Sequence, residues 1–302
     1  MKKHILAGFI LLLVLIVACE PTNRNELNIR EEVYKGTKGL EMIFTPGYPQ
    51  TRIYDNQQVN VLVELRNKGI SPIVGTLTLE GYDPQIVSFP SSVTRRRFGE
   101  LKERNPYDPE GGFEIAEFSS SRIILPEGVD SYRPRFVVTA CYPYKTIASE
   151  IICVDPNPFS IAQEKACQVQ SVAASGGQGS PVTVDYVAVD STQSKAYFRI
   201  KLGNKGGGKI VSYDAVQSQK CPSDLGFEDI DIVRYRVLLG NYPASCSPER
   251  EVRFFNNIAT ISCTVNVPPG TGNAYRTSLT VEMDYGYKQS LSREVEILRA
   301  PR

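Results

Sequence analysis

The chain has 302 residues, 41% of them hydrophobic and 22% charged, which suits about two globular domains. Its 34 Lys and Arg against 33 Asp and Glu leave a net charge of +1, without the basic surplus that nucleic-acid binding needs. His4 is the single histidine and there is no Trp, so the chain beyond its start has no histidine acid–base chemistry, no Ser-His or Cys-His pair, no His-based zinc site and no Trp for sugar stacking.

The N-terminus reads as an address. Lys2 and Lys3 precede an apolar run from Ile5 to Val17, interrupted by Gly8. Such a run falls short of the roughly 20 residues that span hydrocarbon and fits the apolar region of a secretory signal. The segment Leu15-Ile16-Val17-Ala18-Cys19 resembles the lipobox of lipoprotein signal peptides. The resemblance implies a signal peptide over 1–18, a lipid on Cys19, and an extracytoplasmic chain held to the outer face of the cell membrane. An ordinary signal peptide or an uncleaved anchor is the competing reading. Residues 19–37 are polar and weakly patterned, which predicts a tether.

The remainder contains a duplication. Val59–Gly69 alternates apolar and polar residues and ends Asn67-Lys68-Gly69; Ala196–Gly206 does the same and ends Asn204-Lys205-Gly206. Period-two alternation predicts a strand with one buried face, and Asn and Gly predict the turn after it. A second block repeats at a constant spacing of 143 residues: Tyr132, Phe136, Val138, Tyr142, Tyr144 and Lys145 match Tyr275, Leu279, Val281, Tyr285, Tyr287 and Lys288. Each copy is expected to form a hairpin whose turn lies near the Tyr-x-Tyr-Lys motif. Phe136, Val138 and Ala140, and likewise Leu279, Val281 and Met283, are expected to face the core, with the motif tyrosines packed on the same face.

Short strands, frequent Gly and Pro, and no long helical periodicity predict an all-β fold of two tandem immunoglobulin-like sandwiches. The first is placed at 38–158 and the second at 164–299, with Pro156-Asn157-Pro158 as the linker. The V-x-V-x-L-x-N-K-G pattern is similar to the immunoglobulin-like, CARDB-like modules of archaeal and bacterial surface proteins. The Tyr-Gly-Tyr-Lys motif and Ser175–Gly179 resemble an uncharacterised group of small archaeal surface lipoproteins. That resemblance covers most of 38–299 and implies fold and location, with no functional residue carried over.

Six cysteines remain beyond Cys19, and an even count in an exported chain predicts disulfides. The hairpin reading pairs Cys141 with Cys153 across a turn near Ile147. Cys246 and Cys263 flank a second expected hairpin with Asn256-Asn257 as its turn. Cys167 and Cys221 are left for each other.

Other features have plainer readings beside the chemical ones. Arg95-Arg96-Arg97 falls in a polar stretch from Ser91 to Gly112, read as a long loop that offers a binding site for acidic polymer. Nearby Glu100, Glu103, Asp108 and Glu110 blunt its charge. Asp224, Glu228, Asp229 and Asp231 are oxygen ligands of the kind calcium takes, out of order for an EF-hand. Gly-rich Ser175–Gly179 and Gly206–Gly208 precede no helical pattern and read as turns. No cofactor and no metal are expected, and no catalytic residue stands out. The function expected is a lipid-anchored, non-enzymatic adhesion, envelope-assembly or protein-interaction module. The alternatives are a polysaccharide-binding accessory protein, marked by a groove of exposed Tyr, and a carboxylate hydrolase, marked by two acids converging in one cleft.

Overall fold

The computed structural model describes residues 33–160, 164–174, 177–267 and 272–301. The apolar run, Cys19 and most of the expected tether lie outside those residues. Val33 is already buried, so packed structure begins inside the stretch read as tether.

The fold is all-β, as the alternation predicts. The first repeat supplies β1 (Leu40–Phe44), β2 (Arg52–Tyr54), β3 (Asn60–Asn67), β4 (Ile73–Glu80), β5 (Arg95–Leu101), β6 (Phe113–Ser119), β7 (Ser131–Tyr132) and β8 (Arg135–Val154). The second supplies β9 (Val172–Ala173), β10 (Val182–Ser191), β11 (Lys195–Asn204), β12 (Lys209–Val211), β13 (Ile232–Leu239), β14 (Tyr242–Pro243), β15 (Ser245–Ser247), β16 (Glu251–Arg253), β17 (Ile258–Asn266), β18 (Tyr275–Glu294) and β19 (Glu296–Leu298). Two short helices, α1 (Ser91–Thr94) and α2 (Tyr213–Gln217), interrupt them.

The Tyr-x-Tyr-Lys segments are not hairpins. Each repeated block is one continuous strand of 20 residues, β8 or β18, and the two pair antiparallel along their whole length, from Tyr275↔Val154 to Glu294↔Arg135. The physical reason is visible in the sequence. Phe136, Val138, Ala140, Tyr142, Tyr144, Thr146, Ala148, Ile152 and Val154 are all buried, so period two runs through the motif without a phase change. Gly286 does not take the positive φ a tight turn would use.

This pair forms the spine of an eight-stranded sheet, ordered β14-β13-β18-β8-β4-β5 with β12 also on β18 and β16 also on β13, to which both repeats contribute. The sheets β1-β3-β6 and β15-β17-β11-β10-β9 belong to one repeat each. Their inner faces, with Val61, Val63 and Leu65 on β3 and Phe198, Ile200 and Leu202 on β11, join the same continuous core as β8 and β18. The expected boundary between 158 and 164 falls between the repeats. The halves nonetheless share one sheet and one core, and β19 closes against β2 and β7 of the first repeat.

The repeats also differ by an insertion. In the first repeat β4 runs unbroken beside β8; in the second, β12 and β13 both pair with β18, at Val211↔Gly286 and Arg234↔Asp284. They act as one strand interrupted by residues 212–231. A bridge between Val211 and Ile230 closes the base of that insertion, which carries α2 and Cys221.

The disulfides follow this topology. Cys246–Cys263 forms as expected, between directly opposed residues of β15 and β17, and Asn256 and Asn257 take the positive φ values (51° and 64°) of the expected turn. The other two expected pairings are corrected. Cys141 bonds Cys221, and Cys153 bonds Cys167. Cys141 and Cys153 lie on one extended strand, about 40 Å apart at ~3.3 Å per residue, far beyond disulfide reach. Cys141 faces outward and is covered by the insertion, whereas Cys153 meets the chain returning toward β9.

Candidate functional site

The residues around the repeat centre are structural. Tyr142, Tyr144, Tyr285 and Tyr287 form a buried tetrad, with ring centroids 5.9 Å apart for 142–287 and 144–285 and 6.3 Å apart for 142–144 and 285–287. Their hydroxyls bond the loops of the other layer. Tyr142 accepts from Leu40 N, Tyr285 from Val182 N, Tyr144 from Ile70 N and Tyr287 from Gly208 N. Burial pushes Tyr142 and Tyr285 well above the usual phenol range and Tyr287 to about 12. The packing expectation holds, and stacking of a ligand on these rings is overturned because they are buried.

Asn67 and Asn204 shape turns through their side chains and not through positive φ. Asn67 Nδ2 donates to Ser71 O and Leu101 O, and its Oδ1 accepts from Gly69 N. Asn204 Nδ2 donates to Gly208 O, and its Oδ1 accepts from Tyr287. Glycine is required next to them, since a Cβ on Gly69 would overlap the Tyr144 hydroxyl and one on Gly206 would crowd the Tyr287 hydroxyl. The described part of Ser175–Gly179 is likewise a turn, with Gly179 O accepting from Tyr144.

Arg95, Arg96 and Arg97 do not sit in a long loop. They open β5, an edge strand of the large sheet, where Phe98 and Leu101 are buried on either side of a register shift against β4. Arg95 donates to Gln219 O and Cys221 O, at 2.7 and 3.0 Å, and so fastens the insertion; Arg96 donates to Glu117 O. Charged residues along an edge strand discourage unwanted pairing.

Of the acidic residues Asp224, Glu228, Asp229 and Asp231 in the insertion, Asp229 is occupied. Asp229 accepts from Gly226 N, Ser212 Oγ and Lys220 Nζ; burial opposes its charge, but these partners hold its carboxyl below the usual range. Among the described residues no group of three or more His, Cys, Asp or Glu is placed to hold a metal. Acids do converge in a groove on the outer face of the large sheet, where Glu249, Glu251, Glu282 and Asp284 meet Lys145, Arg234 and Arg236. Arg236 lies 2.9 Å and Lys145 3.4 Å from Glu282, and Arg234 lies 3.4 Å from Glu251. Burial works against the charge of Glu282, but its two cations hold it below the usual carboxylate value. That makes it a poor proton donor near neutrality.

A different feature is open to a partner. β4 pairs with β8 only as far as Cys141, so the stretch from Lys145 to Cys153 has β18 on one side and a free edge on the other. The edge-facing residues can be assigned. Ser71 Oγ donates to Lys145 O from the side away from β18. Ser278, opposite Ile151, turns its carbonyl away from β8 to accept from Gly240 N. In an antiparallel pair, opposed residues share that sense, so Ile147, Ser149 and Ile151 aim both N–H and C=O at the free edge. Among the described residues no backbone hydrogen bond meets them there. Ile147 and Ile151 are 49% and 63% exposed. A cleft of about 570 Å³ borders the end of the edge, between Ile151 and Cys153 on one side and Gln168 and Gln170 on the other.

The repeat supplies a control. At a spacing of 143, Ile147, Ser149 and Ile151 correspond to Ser290, Ser292 and Glu294 on the equivalent edge of β18. One edge is therefore polar and charged, as guarded edges are, and the other is apolar. Sequence reading missed the β8 edge because it folded this segment into a hairpin; the Ile-to-Ser and Ile-to-Glu differences between aligned copies were the available signal.

A second groove, of about 650 Å³, lies on the outer face of the sheet containing β11. Tyr197, 40% exposed, sits there among Asp190, Arg199, Ser245 and Thr264.

No family model matches the chain, and no curated protein matches it. A solved structure of a DUF4466 family protein from Parabacteroides merdae is 9% identical and aligns over 84% of this chain and 100% of that chain, with a TM-score of 0.16. A similarity at that level carries no argument about fold or function. No helix among the described residues is long and apolar enough to cross a membrane.

Proposed function

We propose that this is an exported, lipid-anchored surface protein, a non-enzymatic module for adhesion, envelope assembly or protein interaction, that engages its partner by strand addition at the free edge of β8. The unpaired, apolar edge at Ile147, Ser149 and Ile151 carries the interaction reading, since such an edge offers main-chain bonds and side-chain contacts to an added strand. Three disulfides support export, because such bonds persist in oxidising compartments. The apolar run ending at Cys19 supports the anchor and the similarity to surface lipoproteins.

Two substitutions in the full chain test this reading. Cys19→Ser should release the protein from membranes, and retention there would point to an uncleaved anchor. Ser149→Pro removes an edge N–H without changing the core face, and should abolish capture of binding partners from native membranes. Unchanged capture would remove the edge from the account.

A second reading, glycan binding, has one observation in its favour. Tyr197 offers an exposed ring beside hydroxyl and charged groups in the groove on the β11 sheet. Retention of the protein on envelope polysaccharide that is lost in Tyr197→Ala would support it, and equal retention would dismiss it.

A further inference from the structure

We infer that the strand added at the β8 edge is the same edge of a second copy of this chain, paired antiparallel about Ser149. The inference rests on the strand-addition reading and names its partner.

The edge is self-complementary in that register. With Ser149 on a two-fold axis, Ile147 lies opposite Ile151 of the second copy, and Ile151 opposite its Ile147. These three residues aim their N–H and C=O groups at the edge, so each opposed pair exchanges two bonds, about six in all. The isoleucines project from the same outer face and meet as cross-strand β-branched pairs, which favour pairing. The edge carries two charges. Lys145 falls opposite Cys153 of the second copy, and Glu150 opposite its Ala148, so like charges never face each other.

Other features favour a copy over a foreign strand. The chain already joins its two repeats by antiparallel pairing of equivalent strands, β8 with β18, about the centre of the repeat. A second copy repeats that arrangement one strand further out. The arrangement also closes, because a two-fold pair uses the apolar edge of both copies. What remains outside is the β18 edge with Ser290, Ser292 and Glu294, which resists further growth.

The test is a cysteine at the axis. In the full chain held in detergent micelles, Ser149→Cys should give a disulfide-linked species of twice the chain mass on non-reducing gels. Ser292→Cys, the equivalent position on the polar edge, should stay monomeric and controls for scrambling by a seventh thiol. Ile151→Arg combined with Ser149→Cys should suppress the linked dimer, and the wild-type chain should sediment as a dimer. Monomeric Ser149→Cys together with a monomeric wild-type mass would overturn the inference. Linkage of the Ser149→Cys chain to a different protein in native membranes would also overturn it, while leaving strand addition standing. Should Ser149→Pro retain every membrane partner as well, both ideas fall.

Discussion

Pro143 lies directly opposite Gly286 across the central strand pair, and the two occupy the same position of the repeat, 143 residues apart. The two halves are therefore related by a pseudo-two-fold axis that passes between these residues. The tyrosine tetrad surrounds the axis, which explains why its distances come in equal pairs and both T-shaped contacts have an interplanar angle of 71°. A proline is tolerated in a central strand because Pro143, like Cys141 and Lys145, faces away from β18, at the point where β4 pairing stops.

Removing one hydroxyl from the tetrad should be costly. Tyr285 accepts from Val182 N at 3.2 Å and shares a 2.8 Å bond with Thr146 Oγ1, all buried. Tyr285→Phe leaves Val182 N without that partner, while Thr146 Oγ1 keeps its bond to Val182 O, and should lower the unfolding free energy by about 1–3 kcal/mol in urea titrations. Tyr142→Phe, which strands Leu40 N, should behave alike, and Tyr107→Phe on the surface should change nothing. Equal stability of all three variants would remove the tetrad from any account of what holds the halves together.

The same burial fixes a pH dependence. The folded-state values of Tyr142 and Tyr285 are raised by desolvation, and that of Tyr287 is raised to about 12, above the ordinary value of 10.0. A group with a raised folded value contributes stability that is fully present below its unfolded value and lost as pH rises through the folded one. Stability should therefore decline from about pH 10 upward. In rapid pH jumps the tetrad should ionise only as the chain unfolds, read as a slow phase of tyrosinate absorbance that coincides with loss of far-UV signal. Complete ionisation while the fold persists would contradict the burial.

Much of this was legible in the sequence because period two is a local signal. The core faces of β3, β11, β8 and β18, from Val61 to Met283, could be read directly, as could the Asn256-Asn257 turn and the Cys246–Cys263 pairing, although that bridge joins β15 to β17 and the expected hairpin strand, β16, pairs with β13 instead. The pairing of β8 with β18 could not, because the same alternation suits a hairpin or one long strand, and the choice depends on a partner more than 100 residues away. A hairpin that sets Cys141 against Cys153 leaves Cys167 and Cys221 for each other and hides the open edge at Ile147 in a turn. Arg95–Arg97 escapes for a related reason: its strand is charged on the exposed face, and its two buried residues, Phe98 and Leu101, are three apart and show no period of two.

The disulfide map offers a sharp chemical check. Peptide mapping without reduction should link Cys141 to Cys221, Cys153 to Cys167 and Cys246 to Cys263. The first closes a separation of 80 residues and the second one of 14, so loop-closure entropy ranks them. Replacing the first pair by serine should cost about 4 kcal/mol and the second about 3 kcal/mol. The first loss should also loosen the insertion and expose Cys141's side of the sheet to hydrogen exchange around residues 212–231. A Cys141–Cys153 peptide would restore the hairpin and dismantle the long strand.

Glu150 is a part-buried carboxylate on the inner face of β8. Its side chain points inward between Ala148 and Ile152, and burial raises its folded value above the ordinary 4.5. A carboxyl with a raised folded value favours folding below its unfolded value and opposes it once ionised, so the penalty grows as pH rises past about 4.5. Glu150→Gln keeps the shape and removes the charge. The variant should be more stable than wild type at neutral pH, and the difference should shrink toward zero as acid protonates the wild-type side chain. Denaturation midpoints of the two chains, measured across that range at low protein concentration, decide the matter. A gain that persists undiminished in acid would assign it to amide hydrogen bonding, and no gain at neutral pH would mean that the carboxylate is solvated.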